Sequence, residues 1–215
     1  MIYNWKLSAK FSIKGKLGIL FVIELILFIF NLLVSFDPSV IVNIIKLFEK
    51  VSVEIEIFTF IYSLVISVAS LLLIPPFELS RYYIYLCVAK GQSVKVEDVF
   101  YGFDNYVASL KLYFYILWKL LCWYALFIIP GIIKSYSYSM AFYVLAENPY
   151  LSVSECLEKS KEMTHGFKGK LFLLDLSFIG WNILNCFTFG ILGIWLVPYR
   201  NTTQAHAYLY MSPGY

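Results

Sequence analysis

The sequence predicts an all-α polytopic transmembrane helix bundle, and three observations carry that expectation. The 215 residues are 60% hydrophobic, 20% aromatic and only 14% charged, with a mean hydropathy of +0.74. Soluble domains lie nearer half apolar and a quarter charged, so this chain has more apolar surface than one globular core can hide. Several apolar runs reach membrane length, and lysines cluster in the polar stretches between them. Inside lipid the backbone must satisfy its own hydrogen bonds, which leaves helices as the spanning element.

The elements follow in chain order. Lys6, Lys10, Lys14 and Lys16 precede an apolar run from Leu17 to Phe36. That run is too long for a cleaved leader and lacks a small-residue cleavage site, so it reads as an uncleaved first helix. The loop FDPSV follows. Further spans are expected at Ile57–Ala89, Tyr106–Ile129, Gly131–Ala146, Lys170–Cys186 and Phe189–Tyr210, giving about six in all. The second is overlong for a straight crossing and contains Pro75-Pro76, so it is expected to kink. Pro130-Gly131 and the stretch from Thr188 to Gly193 read as tight turns.

Charge placement orients the chain. The N-terminal segment has lysines and no acid, whereas the loop after the first span carries Asp37, Glu49, Glu54 and Glu56 against Lys46 and Lys50. Later polar stretches carry Lys90, Lys95 and Lys111, then Lys159, Lys161, Lys168 and Lys170. An even span count puts these lysines and both termini on the cytoplasmic side.

The chain also repeats. LLIPP (72–76), FIIPG (127–131) and WLVPY (195–199) each lead into a tyrosine-rich helix with one basic residue near its start: Arg81, Lys134, Arg200. After the first two comes a short amphipathic helix. Val96, Val99, Phe100, Phe103 and Val107 fall at helical intervals in one; Val153, Cys156, Leu157, Met163 and Phe167 do so in the other, with Ser160 interrupting the stripe. Ser152 and Glu155 fit a capping box, and Gly166 fits a C-terminal stop. Both short helices are expected along the cytoplasmic membrane surface; the plainer expectation is loop helices packed on the bundle ends. The whole chain, 1–215, reads as one integral membrane domain. It divides into an N-terminal segment with the first span and outer loop (1–56), a first repeat unit (57–130), and a second unit plus the last span (131–215).

Within the fourth span, Gly131, Ser135, Ser139 and Ala146 form a small-residue stripe that lets another helix approach closely. Lys134 flanks it and can snorkel or pair.

Charges inside apolar spans are the other candidate site. Glu24, Glu78, Arg81, Lys119, Asp175 and Arg200 lie there, and left unpaired they would together cost on the order of 15 kcal/mol. Glu78, Arg81, Tyr82 and Tyr85 share one helical face, as do Arg200, Thr203 and Gln204. These residues predict a polar seam where repeats meet, built from Glu24, Glu78, Arg81, Lys119 and Arg200, with Asp175 about one turn inside its span and interfacial. The seam is either a set of register-fixing ion pairs or a substrate or proton site.

The segments PGIIKSYSYSMAFYVLAENP, LSVSECLEKSKEM, LSFIGW and WLVPYRNTTQAHAY resemble an uncharacterised bacterial integral membrane family, domain of unknown function 975. The likeness is densest over Ile129–Tyr210; the first hundred residues match in layout. Residues 129–134 and 177–181 stand as in the family pattern, and Cys156 stands where alanine is expected. The resemblance implies a multi-span bacterial plasma-membrane protein and carries no catalytic residues.

Other chemistry has little support. The formal charge is only +3, so no nucleic-acid partner is expected. Cys87, Cys122, Cys156 and Cys186 are scattered and read as reduced packing residues. His165 and His206 lack ligand-like neighbours. No P-loop, H-E-x-x-H, G-x-S-x-G or G-x-G-x-x-G motif occurs. Asn201-Thr202-Thr203 matches a glycosylation pattern inside a helix, which reads as chance. No enzyme activity, cofactor or metal is expected. The expected role is a non-enzymatic component working with a partner such as an exporter subunit, or an immunity-like protection protein. The alternative is an autonomous translocator of a lipid or amphipathic solute. Membrane lipids are expected partners, and a homo-oligomer is compatible with the packing stripe.

Overall fold

The structure, a computed structural model, describes residues 1–35, 45, 52–188 and 190–212. The expected outer-loop features at Asp37, Lys46, Glu49 and Lys50 lie outside the described residues. All regular structure among the described residues is helical.

The chain begins with α1 (Ile2–Ile13), turns at Gly15 with φ of +85°, and continues as α2 (Leu17–Ser35). A side chain resists that φ, which is why glycine stands at the turn. Next comes α3 (Val53–Ala89), a single helix of 37 residues that runs through Pro75-Pro76 without ending. At 1.5 Å per residue it is about 55 Å long, well beyond the ~30 Å of a hydrocarbon core. A 3-10 turn at Val96–Phe100 and α4 (Tyr101–Asp104) replace the single amphipathic helix expected there. Then follow α5 (Tyr106–Leu126), α6 (Ile128–Tyr138), α7 (Ala141–Glu147), α8 (Val153–Met163), α9 (Lys168–Phe187) and α10 (Gly193–Met211).

One expected span is interrupted, and the prolines do not all act alike. The span expected at Gly131–Ala146 is broken: α6 stops at Tyr138 and α7 starts at Ala141. Pro130 sits in the first turn of α6, after Phe127 in extended conformation, so it marks a turn. Pro198 lies within α10, as the proline pair lies within α3. By length and composition two described helices are fit to cross a membrane, α3 and α9; Leu17–Asn31 is a shorter apolar helix segment.

Burial is lopsided along the long helices. The second half of α3 is buried at Leu79, Ser80 and Ile84–Val88, whereas Ile57, Phe58, Phe60, Ile61, Leu64 and Val65 are exposed. The second half of α10 is buried at Thr202, Thr203, Ala205 and Ala207–Leu209, and all of α7 up to Ala146 is buried. The post-proline segments thus pack on one another: α10 on α3, and α3 on α7. Around them lie α1, packed along α10, and the Leu20/Ile23/Leu27 face of α2. The three largest fully buried side chains are Tyr85, Tyr143 and Tyr208, one from each post-proline segment. Tyr82 and Tyr143 meet edge-to-face, and Tyr143 stacks on Tyr208 with ring centroids 5.2 Å apart. Aromatic pairs at such distances add to plain area burial.

Serine hydroxyls join the short segments to this core. Ser80 Oγ accepts the Gly102 N–H at 2.8 Å and donates to the Pro76 carbonyl at 3.0 Å. A Cβ on Gly102 would lie 1.9 Å from that carbonyl oxygen, so only glycine fits. In the second unit the roles are exchanged. Ser160 on α8 donates to the Ser137 carbonyl at 2.8 Å and accepts the Met140 N–H at 3.2 Å. Those are backbone groups left open by the α6–α7 break. The capping box at α8 forms as expected, with Ser152 Oγ accepting the Glu155 N–H. The apolar side of α8 (Cys156, Leu157) is buried in the core, so α8 spends that face on the bundle end rather than on a membrane surface.

Candidate functional site

The polar seam assembles from helices distant in sequence. From α3, Arg81 Nη1 donates to Glu78 Oε1 at 3.1 Å, and its Nε lies 4.0 Å from Glu24 Oε1 on α2. Tyr85, one turn on from Arg81, donates its hydroxyl to Glu24 Oε1 at 2.6 Å. These side chains meet because residues 78, 81 and 85 share a helical face, and α2 packs that face with Leu20, Ile23 and Leu27.

A second group sits on α9, α10 and α6. Arg200 Nη2 donates to Asp175 Oδ1 at 3.1 Å, Gln204 Nε2 donates to the same oxygen at 3.3 Å, and Tyr136 donates its hydroxyl to Oδ2 at 3.1 Å. Asp175 is thus the acceptor at the centre of this group. Tyr82 lies within electrostatic reach of Glu78, Arg81, Arg200 and Asp175, and the Tyr143 hydroxyl donates to the Asn201 carbonyl beside Arg200 at 3.3 Å. The two groups therefore form one seam running between α2, α3, α10 and α9.

Of the expected seam residues, Glu24, Glu78 and Arg81 come together, and Arg200 joins through Asp175. Lys119 does not. It stays on α5, its Nζ 5.4 Å from the Tyr115 ring centroid. Lys134 likewise rests over the Trp123 ring at 4.6 Å. The small-residue stripe is divided by the α6–α7 break. Gly131 is where a close approach occurs: a Cβ there would meet the Tyr124 ring at 2.4 Å. Ser135 and Ser139 are half-buried and donate back to Ile132 and Tyr136 carbonyls, while Ala146 is buried on α7.

Chemically the seam is two bases against three acids, an excess of one carboxylate. Each arginine also keeps a buried Nε–H with no acceptor among the described residues. Side-chain exposures of 15% for Glu24 and 28–40% for the other four show the seam is sheltered but not sealed.

A third polar cluster lies at the other end of the post-proline helices. Glu147, at the end of α7, takes hydrogen bonds from Lys90 and from the Tyr208 hydroxyl. Burial alone would push its carboxyl up, but these two donors and the Lys90 charge outweigh it and hold the pKa below the usual carboxylate range. Beside it opens a cavity of about 630 Å³ lined by apolar Val144, Phe167 and Met211 and by polar Lys159, Glu162 and His165. Spacing did not single out Glu147 or Tyr208, because their partners lie 57 and 61 residues away. Among the described residues no group of three or more His, Cys, Asp or Glu is placed to hold a metal ion.

Comparison with known proteins gives one finding. Residues 114–212 match the family described as "Protein of unknown function (DUF975)", the segment that carries the resemblance noted above. No curated protein and no solved structure matches.

Proposed function

We propose that this chain, DUF975-like over its C-terminal half, is a multi-pass protein of the bacterial plasma membrane with both termini cytoplasmic. On this reading it acts without catalysis, as a partner-dependent transport accessory or a membrane-protection component. One observation carries the proposal: the charges gathered in the seam are taken up by partners within the chain. Arg81 is held by Glu78 and Glu24, and Asp175 by Arg200, Gln204 and Tyr136. Such pairs can serve to fix helix register. Meanwhile the outer halves of α3, α5 and α9 present rows of large apolar side chains, as at Phe60, Leu121, Leu176 and Ile183. Those rows suit lipid or the helices of another membrane protein.

The test is purification of the tagged protein from its native membrane into lipid nanodiscs, with mass spectrometry of what stays bound. A stoichiometric protein partner supports the proposal. Retention of only a defined lipid or peptide counts against it.

One feature favours a second reading, an autonomous translocator. Glu24 and Glu78 share a single arginine, and the excess carboxylate is partly exposed. A protonatable or cation-binding site is what transport would use. Glu78→Gln separates the readings: transport loss with intact expression supports translocation, and an unchanged phenotype supports a structural seam.

A further inference from the structure

In sequence, residues 1–16 are a lysine-bearing lead-in to the first apolar run. The structure makes 2–13 a separate helix with apolar residues on two opposite faces. Trp5, Ala9 and Ile13 form the buried face. Trp5 packs edge-to-face on Tyr210 at 5.8 Å, and Ser12 Oγ lies 2.9 Å from His206 Nε2, so α1 is tied to α10.

The opposite face has no partner among the described residues. Tyr3, Leu7 and Phe11, four residues apart and so on one stripe, are 72%, 39% and 67% exposed. A second stripe runs beside it: Lys6, Lys10 and Lys14, again four apart. Lys10 and Lys14 are exposed, while Lys6 turns inward over the Phe178 ring at 4.3 Å. No acidic residue precedes Glu24. The level of α1 is fixed as well. Only Lys14–Lys16 separate it from α2, a link that spans about 10 Å at most, and Lys16 is anchored to the Gln92 carbonyl at 2.6 Å.

We propose that α1 is an interfacial helix seated on anionic phospholipid. Tyr3, Leu7 and Phe11 enter the boundary between headgroups and acyl chains, and Lys10 and Lys14 meet phosphates. This rests on the membrane reading above. Charge chooses the occupant. An aromatic and aliphatic stripe edged by lysines matches a surface that is apolar beneath and negative above. A second copy docking α1 on α1 would bring lysine rows together.

The experiment places a benzoylphenylalanine crosslinker at Phe11, and separately at Phe60, in the full-length protein. Phe60 is 71% exposed on the outer half of α3. Both proteins are reconstituted in nanodiscs of phosphatidylethanolamine and phosphatidylglycerol, irradiated, and the adducts weighed; native membranes are irradiated in parallel. The expected result is lipid adducts at both sites. The Phe11 adduct should be enriched several-fold in phosphatidylglycerol over its share of the lipid, and Lys10→Gln/Lys14→Gln should abolish that enrichment. A protein adduct at Phe11, including one to a second copy, overturns the inference. So does a lipid adduct that mirrors bulk composition, or no adduct at Phe11 while Phe60 gives one. Failure at Phe60 too removes the membrane reading itself, and this inference with it.

Discussion

Removing one hydroxyl should loosen the fold where the fourth apolar segment breaks. Ser160 is fully buried, and its Oγ serves two backbone groups that the α6–α7 break leaves open: the Ser137 carbonyl at 2.8 Å and the Met140 N–H at 3.2 Å. Ser160→Ala removes one oxygen, so the packing loss is small and the polar loss dominates. A buried donor or acceptor left unmade costs about 1–3 kcal/mol. The Met140 N–H loses its partner outright. The Ser137 carbonyl keeps only a long contact with Thr164 Oγ1, at 3.5 Å. The expected destabilisation is therefore about 2–4 kcal/mol, near the top of what a single-atom change produces. Equilibrium unfolding in mixed detergent micelles, followed by far-UV circular dichroism, measures it. Ser154→Ala, on the exposed side of the same helix, is the control and should stay within about 0.5 kcal/mol. If the two variants are indistinguishable, the break is not held by this hydroxyl and the account of α8 as a brace is wrong.

Other outcomes follow from the same geometry. Gly102→Ala should prevent accumulation of monodisperse protein, because its Cβ would lie 1.9 Å from a backbone oxygen; Gly169→Ala, with open space around it, should be tolerated, and size-exclusion profiles compare them. Glu147 has a depressed folded-state pKa, so its contribution is full above the unfolded value of about 4.3 and is lost as pH falls through the lower folded value. Stability measured from pH 7 to 3 should show that acid limb, and Glu147→Gln should flatten it. Cys122 lies in the exposed apolar face of α5, so a water-soluble maleimide should label it slowly in vesicles and readily after denaturation; fast labelling in intact vesicles would contradict a lipid-facing α5.

Much of the chain was legible locally. Apolar runs of membrane length place α2, α3, α5, α9 and α10 within a few residues, because such runs are long and cost too much to expose to water. The capping box at Ser152 and Glu155 is a contact of three residues' span and can be read without a fold. α1 was not legible, because apolar residues on two opposite faces cancel any one-sided pattern. Ser160 read as a flaw in a stripe; it is the residue that completes the neighbouring helix's hydrogen bonds.

The seam shows the same division. Composition and spacing required that Glu24, Glu78, Arg81, Asp175 and Arg200 find partners, since a lone charge among apolar helices is too expensive. They could not say which, because the pairs join residues such as 24 with 81 and 175 with 200, and charge complementarity has no memory of sequence separation. Lys119 carries the same charge as Arg81 yet lies over a tyrosine ring of its own helix. By itself, then, the sequence determined that the chain is helical and apolar, with charges in its apolar helices that need partners. Packing alone decided which three tyrosines fill the core, which carboxylate each arginine meets, and which helix faces stay open. Those depend on how whole helices cross, and short-range preferences do not encode that.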